Sequence, residues 1–345
     1  MDSNEADATV LTTPAPARQV LESGARAAAK FTAGMALALL PLPLALADSY
    51  WLDIVVVTYL MAGLAGAWNI IGGFAGQFSL GHGVFFGIGA YTAAILFTDA
   101  GMSPWFGMPI GMVLATAVAL LISWPTFRLR GPFFAIATMA FNQVAFVLVN
   151  YLDWPTNGPR GILIPFQAGL ASMIFQQRWR YGVLTFLYLL LVTGIALLLR
   201  RSRLGYALLA VREDEEAARA AGIDVLGAKL RGMAISAALT AAGGTLFAMY
   251  LRFIDPPTVF SLPDIGVRFA LLALIGGIGT LPGPVLGAAL IVPVENFLRA
   301  HITTDWPGAD LVVLGAVMVL AARFLRRGIA GALADGVRAL GRRRQ

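Results

Sequence analysis

The chain contains no cysteine, two histidines and two lysines among its 345 residues. Without thiols it can hold neither a disulfide nor a thiolate metal site. His82 and His301 lack the short spacing of imidazole metal ligands. Lys30 and Lys229 are followed by Phe31 and Leu230, so no G-K-[ST] phosphate loop exists and ATP cannot be hydrolysed by one here. No nucleophile motif and no paired catalytic carboxylates appear, which argues against an enzyme. Charge is scarce as well: 13% of residues are charged and 58% hydrophobic, too little charge to cover a soluble protein of this size. The net charge of +6 suggests nucleic acid at first glance. Its placement argues otherwise, because the arginines gather in short segments between apolar runs and at the C-terminus, as membrane topology demands. The reading is an all-α, polytopic transmembrane bundle embedded in a lipid bilayer, with no nucleic-acid partner and no metal.

A helix crossing ~30 Å of hydrocarbon needs roughly 20 residues. Apolar runs of about that length lie at 31–47, 52–71, 83–98, 105–124, 132–150, 181–199, 232–251, 266–281, 284–299 and 308–322. They predict about ten spans, with eight as the lower bound. Basic residues cluster in the leader (Arg18, Arg26, Lys30), at Arg128 and Arg130, across 200–231, and in the tail from Arg323 onward. Placing all four clusters in the cytoplasm requires an even number of crossings between each, which ten spans satisfy. Both termini are then cytoplasmic, and the turn-rich segment 151–180 is external although it carries Arg160, Arg178 and Arg180. The run 31–47 also offers Ala45 and Ala47 in a signal-peptidase arrangement, but its leader holds four acidic residues, unlike a short basic n-region. The predicted organisation is a disordered leader over 1–30, a transmembrane domain over 31–325 that includes the cytoplasmic loop 200–231, and a basic tail over 326–345.

Between two apolar runs stands "GGFAGQFSLGHGVFFGIGAYT" (72–92), with seven glycines and no residue charged at neutral pH other than a titratable imidazole. Gly72, Gly73, Gly76 and Gly81 weaken helix, and Gln77, Ser79 and His82 bring polar groups that lipid disfavours. Two readings stand side by side. One is a tight interfacial hairpin whose Gly83, Gly87 and Gly89 let helices approach closely. The other is a broken or re-entrant element beside a translocation path. A second segment, "LIGGIGTLPGPVLGAALI" (274–291), repeats the pattern, with Gly276 and Gly277 after an isoleucine and a break at Pro282 and Pro284. Paired interruptions of this kind point to a transporter's central site.

Three blocks, "GGFAGQFSLGHGVFFGIGAYTAAIL", "GYALLAVREDEEAARAAGIDVLGAKLRGMAISA" and "LIGGIGTLPGPVLGAALIVPVENFLR", resemble in order the signature blocks of the LivH/LivM permeases, and LivM more closely. The resemblance covers about residues 50–325. It implies the membrane subunit of an ABC importer for branched-chain amino acids, in the cytoplasmic membrane of a bacterium. It also implies a second, LivH-like permease, two ATP-binding subunits that carry ATP and magnesium, and an extracytoplasmic substrate-binding protein. No cofactor is expected on this chain. Permeases for urea and short amides resemble these blocks too, and a stand-alone secondary transporter is the competing class.

The loop 200–231 is not simply basic. Glu213, Asp214, Glu215 and Glu216 run consecutively, alanines favour helix, Glu215 and Arg219 are spaced to pair, and Gly222 is a natural helix stop. Such a helix is ordinarily a solvated face. By the resemblance, Glu216-Ala217-Ala218, three residues and Gly222 match the importer loop that docks on the ATPase. Residues 205–222 are then one coupling helix, with Arg212 and Glu213 at its rim; the Ile-x-Leu-Pro that usually follows is missing.

Polar residues inside spans are functional candidates by default, although most fix helix packing. Asn69, Gln77, Ser79, His82, Asn142 and Gln143 form the predicted path-lining set. Asp264 with Arg268, and Glu295 with Arg299, are spaced to pair along a helix.

Overall fold

Every apolar run read between 52 and 299 falls on a helix in the computed structural model, which describes residues 50–129 and 131–301, with short pieces at 34, 39, 42–46, 312, 315–316 and 328–332. The runs predicted at 31–47 and 308–322, the leader, most of the tail and the predicted position of both termini lie outside the described residues.

The helices are α1 (Tyr50–Gly72), α2 (His82–Thr98), α3 (Pro104–Thr126), α4 (Pro132–Tyr151), α5 (Arg178–Arg201), α6 (Arg203–Glu213), α7 (Glu215–Ala220), α8 (Val225–Leu251), α9 (Arg268–Gly277) and α10 (Gly283–His301). Among the described residues, six segments are long and apolar enough to cross a membrane: α1, α3, α4, α5, α8 and Pro256–Gly277, which includes α9. Local chemistry sets several starts. Pro104 opens α3 behind an N-capping Ser103, and Pro132 opens α4 behind Gly131, whose φ is 57°. Asp224 caps α8 by accepting from Gly227 N at 2.9 Å.

In lipid no hydrophobic force draws helices together, so close backbone packing must do it. α8 is the centre, packed on α1, α2 and α3, while α1 also packs on α5, α9 and α10. At the α2–α8 crossing a Cβ on Gly89 would run into the carbonyl of Ala241, and one on Gly244 into that of Phe86. Thr245 Oγ1 donates to the Gly89 carbonyl at 3.0 Å in the same place. The glycines expected to form one packing face on α2 serve three neighbours instead: Gly83 faces Asn142, Gly87 the ring of Phe260, and Gly89 Ala241.

Burial separates centre from periphery. Of the most apolar stretch of each helix, 83% is buried in α1 but 28% in α3 and 17% in α4. α4 is thus held by few neighbours.

Two clusters mark opposite ends of the bundle. At one, Asp53 near the start of α1 accepts from Arg178 Nη1 at 2.6 Å and from Tyr250 Oη at 2.9 Å. The segment 151–180 lies at this end, because its strand β1 (Ile162–Leu163) pairs antiparallel with β2 (Phe253–Ile254) just beyond α8. At the other end, Gly73 and Gln77 meet Arg212 and Glu215. The helices therefore alternate in direction as the charge pattern requires.

Two predicted pairs are corrected or extended. Arg268 does not pair with Asp264; it reaches Glu295 of α10 at 2.7 Å, and Asp264 accepts instead from Ser261 Oγ. A π-turn, Leu262–Val267, interrupts the regular helix between Asp264 and Arg268 and changes the i,i+4 register on which that pair depended. The Glu295–Arg299 pair is present at 3.3 Å.

Candidate functional site: the glycine-rich break and the charged segment beneath it

α1 ends at Gly72 and α2 begins at His82, leaving nine residues of irregular backbone, 73–81. Irregular backbone inside a membrane protein must find partners in protein, and this one does. Trp68 Nε1 donates to the Ser79 carbonyl at 2.7 Å, and Leu80 N donates to Thr138 Oγ1 at 3.0 Å. Thr138 lies six residues beyond Pro132 on α4, which at 1.5 Å per residue is about 9 Å into the bundle. Gln77, by contrast, is partly exposed beside Glu215. The chain climbs inward between Gln77 and Gly81 before α2 starts, a course along the bundle that a broken or re-entrant element takes.

His82 is fully buried and held on both nitrogens: Nδ1 lies 3.1 Å from Ser79 Oγ and Nε2 lies 2.9 Å from Ser236 Oγ of α8. Ser236 spends its own proton on the Ala67 carbonyl, at 2.7 Å. Its oxygen must therefore accept from His82, which assigns the Nε2–H tautomer by hydrogen-bond balance, with Ser79 donating to Nδ1.

The second break, 278–282, is a tighter turn. Thr280 Oγ1 donates to the Gly277 carbonyl at 2.7 Å and accepts from Gly283 N at 3.1 Å. Gly277 and Gly279 have φ of 127° and 75°, a region closed to most side chains. Leu286 N returns to the Pro282 carbonyl, and Pro284 sits in the first turn of α10, where its missing N–H costs nothing. Gly276 lies so close to Gly283 that a Cβ would strike that residue's carbonyl.

Asn69 ties the two breaks together. Its Nδ2 donates to the Thr280 carbonyl at 2.9 Å, its Oδ1 accepts from Gly279 N at 2.8 Å, and its own carbonyl receives Gly73 N at 2.8 Å. Arg212 enters the same junction from below: Nη1 donates to the Gly73 carbonyl at 2.7 Å, and the guanidinium lies against Gly279.

The predicted single coupling helix is two helices. Asp214 has extended backbone (φ −158°, ψ 117°) and ends α6. Its carboxylate caps α7, accepting from Glu216 N at 2.8 Å and Ala217 N at 3.0 Å. These bonds, Ala217's first and then Glu216's, hold the Asp214 carboxyl below its ordinary pKa. A helix continued through Asp214 would forgo that cap, which is why alanine content alone misjudged the segment. The predicted stop is present. Gly222 has φ of 85°, Ile223 N bonds to Ala218 O and Gly222 N to Arg219 O, the Schellman pattern.

Glu215 pairs with Lys229 and Gln77 rather than with Arg219: its Oε1 receives both the Lys229 ammonium and Gln77 Nε2, the latter at 3.2 Å. Lys229 is buried at 1% exposure and also lies over the Phe127 ring. Sequence reasoning missed its role. The available signal was a lone lysine among small and apolar residues in "VLGAKLRGMA". Ala218 points inward onto Val211 and Val225, while Glu213, Glu216, Ala217 and Gly222 are exposed. A cavity of about 410 Å³ opens here between Gly76, Gln77, Gly131, Arg212 and Glu216.

The predicted path-lining residues do not gather in one place. Asn69, Ser79 and His82 are buried around the breaks, and Gln77 lies at the end of the bundle. Asn142 is buried, with Nδ2 donating to the Phe260 carbonyl at 2.9 Å and Oδ1 without a partner. Gln143 is exposed midway along α4, on a face with Ile136, Val144 and Val147. Among the described residues no cluster of metal-ligating side chains occurs.

Over residues 50–322 the chain matches the family described as branched-chain amino acid transport system / permease component. It is 32% identical over 291 residues to the high-affinity branched-chain amino acid transport system permease protein LivM of Escherichia coli, covering 78% of this chain and 67% of that one. LivH of the same organism is 25% identical over 78% of this chain and 90% of its own length. BraD of Pseudomonas aeruginosa is 28% identical with the same coverage of each chain. No solved structure matches. The match across most of the chain is decisive: this protein belongs to the permease-component family of branched-chain amino acid transport systems.

Proposed function

We propose that this chain is the membrane-spanning permease subunit of a bacterial ABC importer that moves branched-chain or related neutral amino acids into the cytoplasm by ATP-driven alternating access. One observation carries the reading: the segment 203–222 is anchored on the bundle by Arg212 and Glu215 yet leaves Glu216, Ala217 and Gly222 exposed. A side anchored to the gate and a side open to a partner are what a lever needs. The small residues allow close approach, and the charges set register.

The subunit works in the inner membrane beside a second, LivH-like permease. One of two ATP-binding subunits docks on 203–222, both carry ATP and magnesium, and an extracytoplasmic binding protein delivers cargo. This chain supplies no catalytic group and no cofactor. Gln143 supports a path along α4, since a mid-span amide exposed on an apolar helix is costly in lipid and fits a wet cavity between two permease subunits. Asn142, behind it, holds the helix to Phe260.

The test is uptake of labelled leucine by the reconstituted complex with Glu216→Ala and Gly222→Val, alongside a check of subunit assembly. Uptake collapses while the membrane pair stays intact. Undiminished ATP-dependent uptake in an assembled double variant refutes the lever.

A further inference from the structure

We infer that the irregular segment 73–81 is a connecting rod that carries motion of the docking segment to α4, the helix on which the proposed path-lining Gln143 lies. The inference rests on the function proposed above and assigns its internal transmission.

Three contacts make the rod. At its lower end, Arg212 Nη1 holds the Gly73 carbonyl at 2.7 Å and Glu215 Oε1 receives Gln77 Nε2 at 3.2 Å, so both helices of the docking segment grip it. At its upper end Leu80 N donates to Thr138 Oγ1 at 3.0 Å, and Gly81 is packed so tightly on α4 that a Cβ there would lie 2.8 Å from the Thr138 carbonyl oxygen. The body between is non-helical, with Gly76 at φ 68°. A continuous helix here would close its polar groups on itself; irregular backbone instead binds outward, to the elements it must move.

The receiving element suits the role. α4 is the least buried of the six long apolar segments. Besides Thr138, Asn142 ties the span across the bundle by donating to the Phe260 carbonyl. Phe260 stands just before the π-turn Leu262–Val267, a place where regular helix is already lost. α4 is thus lightly held, gripped by the rod at Thr138 and latched to an irregular segment at Asn142 one turn along the same face, while Gln143 lies on its open face. Transmission is an energetic coupling between two sites, and the experiment measures that coupling.

The complete complex in liposomes, with leucine-loaded binding protein, is assayed for ATP hydrolysis and leucine uptake together. Thr138→Val keeps the shape and removes the acceptor of Leu80 N. It is expected to leave stimulated hydrolysis intact and lower leucine moved per ATP about tenfold, the factor that one buried hydrogen bond of ordinary net worth represents. Thr138→Ser, which keeps the oxygen, restores the ratio. Thr138→Ala, which removes the same oxygen from a smaller side chain, gives the same split and serves where the valine variant does not assemble. An unchanged ratio in Thr138→Val or, failing its assembly, in Thr138→Ala overturns the inference while leaving the proposed function standing. A parallel fall of hydrolysis and uptake assigns these contacts to docking and also overturns it. Absence of ATP-driven uptake in the unsubstituted complex overturns the proposed function, and the rod with it.

Discussion

Gln77 and Glu215, 138 positions apart in sequence, meet at 3.2 Å where the glycine-rich break touches the docking segment. The same carboxylate oxygen takes the buried Lys229 ammonium, so one acid side chain holds together the break, α7 and α8.

That arrangement makes Glu215 and Lys229 unequal to their sum. Glu215→Ala leaves the ammonium of a 1%-exposed lysine without its carboxylate, a loss of about 1–3 kcal/mol once the partial exposure of Glu215 is discounted. Lys229→Met combined with Glu215→Gln removes both charges and is expected to cost less than Glu215→Ala alone. Thermal unfolding of the purified complex checks the order; a double variant weaker than either single one refutes the pairing.

The junction of the two breaks is equally specific. Gly279→Ala forces a side chain into φ 75° and into the Arg212 guanidinium, with backbone strain alone of about 1–2 kcal/mol. Asn69→Ala strands the Gly279 N–H and the Thr280 carbonyl, at about 1–3 kcal/mol for each buried group. Because both act on one contact, the double variant falls short of additive. Full additivity in melting experiments separates Asn69 from the second break.

Protonation of Asp214 gives a pH signature with a definite sign. The folded carboxyl is held below its ordinary pKa by the Ala217 and Glu216 amides, so its contribution is complete above the unfolded carboxylate value, about 3.9. It is lost as pH falls through the lower, folded value. Hydrogen exchange at Glu216 and Ala217 stays slow from neutral pH down to about 4, after allowance for intrinsic rates, and Asp214→Ala abolishes that acid dependence. Exchange that accelerates already near neutral pH contradicts the cap.

Not every glycine matters. Gly89→Leu and Gly244→Leu push α2 and α8 apart, since even a Cβ meets opposing backbone. Gly194, with nothing within 4 Å, tolerates alanine and gains roughly 0.5–1 kcal/mol from helix propensity where that face meets lipid. Yields of folded protein after membrane extraction rank the three; a Gly194→Ala variant as damaged as the others argues for a partner helix there.

Apolar length determined where the helices lie, because each must cover the same hydrocarbon thickness and satisfy its own backbone. Arginine placement gave the alternation of direction seen in the Asp53 and Gln77 clusters at opposite ends. Gly222 was readable as a stop because a left-handed C-terminal residue is a local demand. These features depend on neighbours in sequence or on the bilayer, and a linear reading reaches them.

Only the tertiary structure decided which polar groups meet. Arg268 and Glu215 each had a partner available four residues away, and each chose one from the helix that follows. The split at Asp214 outweighed alanine propensity because two backbone amides could be capped there. Asn69 became a clasp on a second break, at Thr280 211 positions away, only when α1, α9 and α10 packed together. A buried polar group is costly until satisfied, and whether its partner lies one turn away or across the bundle is settled by helix packing, which spacing along a chain does not contain.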